Sequence, residues 1–352
     1  MLYRYEEEKD IGFEILEPKG YFKKNRRATF ENSGYVIRYD SAIKTGDANN
    51  DVVHSEFFIP DNIQPVGAGS KIIFSKQTDS LTNQKIIILL HGFNSTQWWL
   101  HHFYHFIKKA INNNFAVLFI NLPYHLNRTP EGEQSGQRLI KSRDRELLEF
   151  FDQAVKDIQK AIIVLKKAFG ATTCPGFYIC GLSLGGMVAS VTSAWEPEIK
   201  KSILMECGGN WDDIYWNSFV RLILRGTFID KDKIKRKQAA DFYSVHPSFI
   251  EELRKINPSQ IEASLSEFPG LSAYPQKTMF LSDPLTFAYR ANPENILMIN
   301  AKYDILFCRS STEKLWCGLG KPEIIWLNGF HGTGMLVNKF VIKKIFDFIG
   351  LP

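Results

Sequence analysis

Hydrophobic positions change their habit along this chain. In the first part they come as short β-prone runs, Tyr35 to Tyr39, Glu56 to Ile59 and Lys71 to Phe74, punctuated by Gly, Asn, Asp and Pro clusters. That punctuation predicts antiparallel hairpins at the edge of a sheet. After Asn83 the runs become continuous: Lys85 to Leu90, Phe115 to Ile120, Gly176 to Cys180, Lys201 to Glu206, Asn295 to Asn300 and Glu323 to Leu327. A strand without polar alternation is covered on both faces, as in a parallel sheet under helices.

Between these runs the period is helical. From Arg145 to Ala168, Leu147, Leu148, Phe151, Val155, Ile158, Ile162 and Leu165 recur on one face, while Lys156, Lys160 and Lys167 fall mainly elsewhere. Alternating strands and helices imply right-handed crossovers and an α/β class: a doubly wound, mostly parallel sheet, with ligands beyond the strands' carboxyl ends. From Gly208 to Asn295 no strong β run occurs. There Trp211, Tyr215, Phe219, Leu222 and Ile223 stand at helical offsets, and Ser248-Phe249-Ile250-Glu251 has the capping-box pattern that opens a helix. The expected organisation is an N-terminal extension with edge hairpins (1–80), a first core part (81–208), a helical cap insertion (209–290) and a second core part (291–352).

Composition narrows the classes. With 352 residues, 44% hydrophobic, the chain can bury a large core, and no apolar run approaches the length of a membrane span. Met1 to Asp10, rich in Tyr and Glu, does not read as a signal peptide. Five cysteines, at positions 174, 180, 207, 308 and 317, show no paired spacing and mostly lie in or beside apolar runs. They read as reduced and buried, and the expected compartment is cytoplasmic. The net charge of +5 is mild; its densest basic cluster, Lys231 to Lys237, reads as a solvated face, with contact to an anionic membrane surface or acidic substrate as the alternative. No motif points to nucleic acid. His101 and His105, four apart, have no third ligand at a recognisable spacing, so no metal is expected.

The chemistry concentrates at Gly176 to Gly186, where an apolar strand runs into Gly181-Leu182-Ser183-Leu184-Gly185 and then a small-residue helix. A serine at a sharp strand-to-helix turn needs glycines beside it so that the two segments can pass, which makes Ser183 a nucleophile presented at the sheet's carboxyl edge. A hydroxyl is a poor nucleophile near neutrality, so it needs a base, and the base needs a group that orients it. Asp304, in the loop after Ile296 to Asn300, fits the acid, with Asp212, Asp213 and Glu206 as alternatives. His331, in Asn328-Gly329-Phe330-His331-Gly332 after the last strand, fits the base. The oxyanion donors expected are the backbone N–H groups of Leu184 and of Phe93, in the His91-Gly92-Phe93 turn.

Together the HG turn, the GxSxGG elbow and the late Asp and His loops resemble the α/β-hydrolase superfamily over approximately Lys85 to Gly208 and Asn295 to Gly350. The resemblance implies Ser183 as nucleophile, Asp304 as acid and His331 as base. Asn121-Leu122-Pro123-Tyr124-His125 is similar to the loop after the fourth strand in one hydrolase subgroup. Trp98, Trp99, Tyr104, Tyr124 and His125 follow the sheet's carboxyl edge in sequence and are the expected lining of an acyl or aromatic pocket, with core packing as the alternative for the tryptophans. The expected activity is hydrolysis of a carboxylic ester or thioester through an acyl-enzyme, on a small-molecule acyl substrate that includes lipid-like ones, with no cofactor. An acyltransferase or peptidase with the same triad, and a catalytically silent receptor or scaffold, are the rival readings.

Overall fold

Nine strands form one sheet in the order β1-β2-β3-β5-β4-β6-β7-β8-β9. The computed structural model describes residues 2–6, 11–16, 34–60, 84–95, 100–140, 142–169, 176–219, 240–241, 243–256, 274 and 277–350. β1 (Phe13–Leu16), β2 (Gly34–Asp40) and β3 (Val52–Phe58) are antiparallel, and β3 joins β5 antiparallel. The others, β4 (Ile86–Leu90), β5 (Ala116–Ile120), β6 (Phe177–Leu182), β7 (Ile199–Met205), β8 (Ile296–Ala301) and β9 (Glu323–Leu327), run parallel. The segment Lys71 to Phe74 lies outside the described residues.

The described helices are α1 (Leu100–Asn112), α2 (Gln137–Ile140), α3 (Asp144–Phe169), α4 (Leu184–Trp195), α5 (Trp211–Trp216), α6 (His246–Lys255), α7 (Lys277–Leu281), α8 (Pro284–Phe287), α9 (Arg309–Gly318) and α10 (Lys339–Ile349). β4 shows why its run is continuous: Ile86, Ile88 and Leu90 pack with α3 and α4, while Ile87 and Leu89 pack with α1 and α10. Every residue of β4, β5, β6 and β8 is buried. None of the described helices is long and apolar enough to cross a membrane.

The chain reverses its direction of travel across the sheet at β4, which lies between β5 and β6. A crevice opens at such a switch point, beyond the carboxyl ends of the two strands. Leu90 pairs with Gly181 there, so the His91-Gly92-Phe93 turn and Ser183 leave the sheet side by side.

Behind this edge the loop 41–51 is tied down by a buried cation. Arg128 pairs with Asp157 of α3 at 2.9 Å, both fully enclosed, and donates to the Asn50 carbonyl. Ser41 Oγ donates to Asp157 Oδ1, and Tyr124 N–H donates to Asn50 Oδ1. The network fixes the segment after β5 that carries Tyr124 and His125.

Between β7 and β8 the described elements are all helical. The capping-box expectation fails in detail: α6 starts at His246 with Val245 as its cap, placing Ser248 inside the first turn. Pro247 is pre-set for that turn and has no N–H to lose there. His246 Nε2 is also anchored 2.8 Å from Thr286 Oγ1. Trp211 and Tyr215 share α5 and stack, whereas Phe219 lies past its end and is exposed; Leu222 and Ile223 lie outside the described residues. Cys180 and Cys207 are buried, but Cys317 is exposed on α9, contrary to the general expectation for the cysteines; Cys174 lies outside the described residues.

Candidate active site

Ser183 is the residue at which β6 becomes α4, and its backbone is bent for it, at φ 57° and ψ −119°. A side chain at this left-handed φ is held only when neighbours over-determine it. Here Ser183 N–H donates to the Met205 carbonyl at 2.8 Å, and its own carbonyl takes the Met187 N–H. The crossing needs the flanking glycines. A Cβ on Gly181 would lie 2.1 Å from the Gly185 carbonyl oxygen, and one on Gly185 would lie 2.6 Å from both the Leu90 and His91 carbonyl oxygens.

His331 and Asp304 arrive from the loops after β9 and β8. These loops are zipped together where Lys302 N–H donates to Leu327 and Tyr303 N–H to Gly329. Asp304 is fixed by its own loop, since Oδ1 accepts the N–H groups of Leu306 and Phe307 at 2.8 and 2.9 Å. That leaves Oδ2 for His331 Nδ1 at 2.8 Å, while His331 Nε2 lies 3.0 Å from Ser183 Oγ. An ionised carboxylate only accepts, so Nδ1 carries the proton and the Nε2 lone pair faces the serine hydroxyl. Burial pulls the imidazole pKa down, but the hydrogen bond and charge of Asp304, with the charge of Glu206, outweigh it, and the net shift is upward. An imidazole shifted in this direction is suited to hold a proton taken from the serine hydroxyl.

The structure therefore brings together Ser183, Asp304 and His331, the three residues expected. Of the alternative acids, Asp213 pairs with Lys314 and accepts from Asn217 and Ser310, and Asp212 sits beside it in the first turn of α5. Glu206 does reach the site. Its Oε2 accepts the Gly332 N–H at 2.7 Å and lies 3.8 Å from His331 Nδ1. Its sequence signal is an acid directly after β7, the strand beside the one that ends at Ser183.

Leu184 is the first residue of α4, so its N–H has no carbonyl one turn back within the helix. Gly92 lies against the serine, a Cβ there falling 3.3 Å from Ser183 Cβ, which brings the turn containing Phe93 beside Ser183. His91 and His125 stand behind that turn. His91 is fixed between the Gly92 carbonyl and the Leu122 N–H, and His125 packs edge-on to Phe93 with its Nδ1 on the Pro123 carbonyl. Burial pushes the two imidazoles down to about 4 and about 3, so both are neutral near pH 7.

His125 is fully buried, a support of the Phe93 turn rather than the wall of an open pocket. Tyr124 is half-buried under the Arg138 guanidinium, and Tyr104 is buried with its hydroxyl on Glu56. Trp98 and Trp99 lie outside the described residues. His101 and His105 project from the exposed face of α1.

No family model and no curated protein matches the sequence. Solved structures do. The acylaminoacyl peptidase of Pyrococcus horikoshii aligns at 12% identity and TM-score 0.51 over 89% of this chain and 41% of that one. An esterase of Pyrococcus furiosus aligns at 11% and 0.50 over 92% and 94%. The acetyl xylan esterase from Paenibacillus sp. R4 aligns at 14% and 0.50 over 90% and 83%. The chain thus spans less than half of the peptidase and most of each esterase. At these identities the likeness establishes the architecture, the α/β-hydrolase fold.

Proposed function

We propose that this chain, with its α/β-hydrolase fold, is a serine hydrolase that cleaves a carboxylic ester or thioester through an acyl-enzyme. The observation that carries the reading is the unbroken line from Ser183 Oγ to His331 Nε2 and from His331 Nδ1 to Asp304 Oδ2. Neutral His331 takes the serine proton as Oγ attacks the acyl carbon. The oxyanion is received by the N–H groups of Leu184 and Phe93, which are worth most in a water-poor site where they need no reorganisation. The imidazolium, stabilised by Asp304, returns the proton to the leaving oxygen or sulfur, and water then repeats the attack on the acyl-enzyme. Only proton transfer and charge stabilisation are required, so the mechanism uses no cofactor.

The fold neighbours named as esterases and as a peptidase agree with acyl transfer to water without fixing the leaving group. Acceptor alcohols added to the reaction separate hydrolysis from acyl transfer, because a transferase favours the alcohol well beyond its mole fraction. The decisive experiment for the class is labelling by a fluorophosphonate probe. Wild type is expected to label, Ser183→Ala not at all, and His331→Ala slower by about 10³-fold or more. Equal labelling of all three would overturn the assignment, and no labelling of any would favour a silent receptor.

A further inference from the structure

A second carboxyl lies beneath the catalytic imidazole, and the Ser183–His331–Asp304 line leaves it unused. Glu206 is fully buried at the carboxyl end of β7, the strand between the one that ends at the nucleophile and the one that leads to Asp304. Its backbone is held at φ 47°, with its N–H on the Ile299 carbonyl at 2.9 Å. The preceding residue, Met205, accepts the Ser183 N–H. Oε2 takes the Gly332 N–H and faces His331 Nδ1 at 3.8 Å, while Oε1 is enclosed without a hydrogen-bond partner among the described residues.

We propose that Glu206 is a positioning carboxyl for the catalytic histidine: it holds the His331 loop through Gly332, stabilises the imidazolium by its charge, and takes over the Nδ1–H of His331 when Asp304 is lost. The proposal rests on the serine-hydrolase reading above.

Three facts carry it. Glutamine would bond the Gly332 amide as well as a carboxylate does, so that hydrogen bond alone does not account for an ionisable group enclosed here. Its charge has a specific recipient, because among the described residues the titratable groups facing it are His331, Asp304 and the Cys207 thiol, and of these only the imidazole becomes a cation. Burial pushes the Glu206 pKa up to about 7, against the opposing pull of His331 and the Gly332 N–H, with Asp304 adding to the rise. With Oε2 3.8 Å from His331 Nδ1, a proton arriving on His331 drives Glu206 toward its charged form. Standing in for Asp304 involves no bond breaking. Oε2 needs to close by about 1 Å to accept the Nδ1–H at ordinary hydrogen-bond length.

The test is the rate constant of fluorophosphonate labelling from pH 5 to 9 on the full chain. It compares wild type, Asp304→Asn, Glu206→Gln, the double variant and Ser183→Ala, with thermal unfolding to verify folding. Asp304→Asn is expected to lose no more than about 10²-fold at pH 8, and the double variant to fall to about 10⁴-fold below wild type, the loss usual when a triad has no acid. In Glu206→Gln the acid-side midpoint moves down by about half a pH unit or more, because the imidazole has lost a neighbouring negative charge. Glutamine still accepts the Gly332 N–H, so a merely structural role predicts no such shift. If the Asp304 variants do not fold, the Glu206→Gln profile decides alone. A full 10⁴-fold loss in Asp304→Asn with none added by Glu206→Gln, or a Glu206→Gln profile superimposed on wild type, overturns the proposal while leaving the triad standing. Wild-type protein that fails to label removes both.

Discussion

A methyl group at Gly185 tests whether the elbow is as tight as its geometry requires. The added Cβ would sit 2.6 Å from the Leu90 and His91 carbonyl oxygens and 2.8 Å from the Leu90 carbonyl carbon, all backbone atoms at the end of β4. Reaching an ordinary contact of about 3.4 Å requires the first turn of α4 to back away by about 0.8 Å, in a core packed without spare volume. Ser183 is two residues earlier in the same turn, and its Oγ stands 3.0 Å from His331 Nε2. Overpacking of this kind costs about 1–3 kcal/mol, and a displacement near 1 Å costs about 10²-fold in rate. Helix propensity pulls the other way, since alanine is favoured over glycine inside a helix by about 1 kcal/mol. The sign is therefore diagnostic. Gly185→Ala is expected to lower the urea midpoint and slow fluorophosphonate labelling by about 10²-fold, whereas Gly12→Ala, with nothing near its added Cβ, does neither. A Gly185→Ala protein that is stabilised and labels at the native rate would refute the close crossing of β4 and α4.

Other consequences follow from the same contacts. Arg128→Met leaves Asp157 enclosed without its cation and is expected to cost about 3–5 kcal/mol in urea unfolding; a change below about 1 kcal/mol would mean that the pair does not hold the loop 41–51. The labelling rate should fall as pH drops through the raised His331 pKa, because only the neutral ring accepts the serine proton, and a rate that rises on acidification would contradict His331 as base. The same upward shift has a linkage consequence. The stability it adds is fully present below the unfolded value near 6.5 and is lost as pH rises through the folded value, so the stability difference between wild type and His331→Gln should shrink from pH 6 to pH 9. On p-nitrophenyl esters of increasing acyl length, activity is expected to favour chains longer than acetyl, and a clear optimum at acetate would remove the expectation of lipid-like acyl substrates.

Most of the parallel sheet was legible because β4, β5, β6 and β8 are buried throughout and so write unbroken apolar runs; β9, an edge strand with no fully buried residue, still coincides with its run from Glu323 to Leu327. β7 begins earlier than its apolar run, at Ile199, because the exposed Lys200 belongs to the strand's solvent-facing entry. β1 was not legible. It is a four-residue edge strand with one buried side chain, Ile15, too short to show a period. The convergence of Ser183, Asp304 and His331 was legible because each follows a strand in a local pattern of its own. Glu206 was legible as a candidate acid from its place directly after β7, but its hydrogen bond to Gly332, 126 residues away, was not, since nothing local to Glu206 marks that pairing. His125 differs from its expected place for a related reason: its position after β5 suggests a mouth, but the side chain is fully enclosed, and Gly136 closes over it so tightly that a Cβ there would lie 2.6 Å from its Nε2.

The central claim is that Ser183 Oγ becomes covalently acylated with His331 as its base. Rapid mixing with an activated ester, acid quench and peptide mapping by mass spectrometry reads this directly. One acyl group is expected on the peptide containing Ser183 in the wild-type protein and none on Ser183→Ala, which also loses turnover. Acylation of a different residue, with Ser183→Ala turning over at the native rate, would contradict the account.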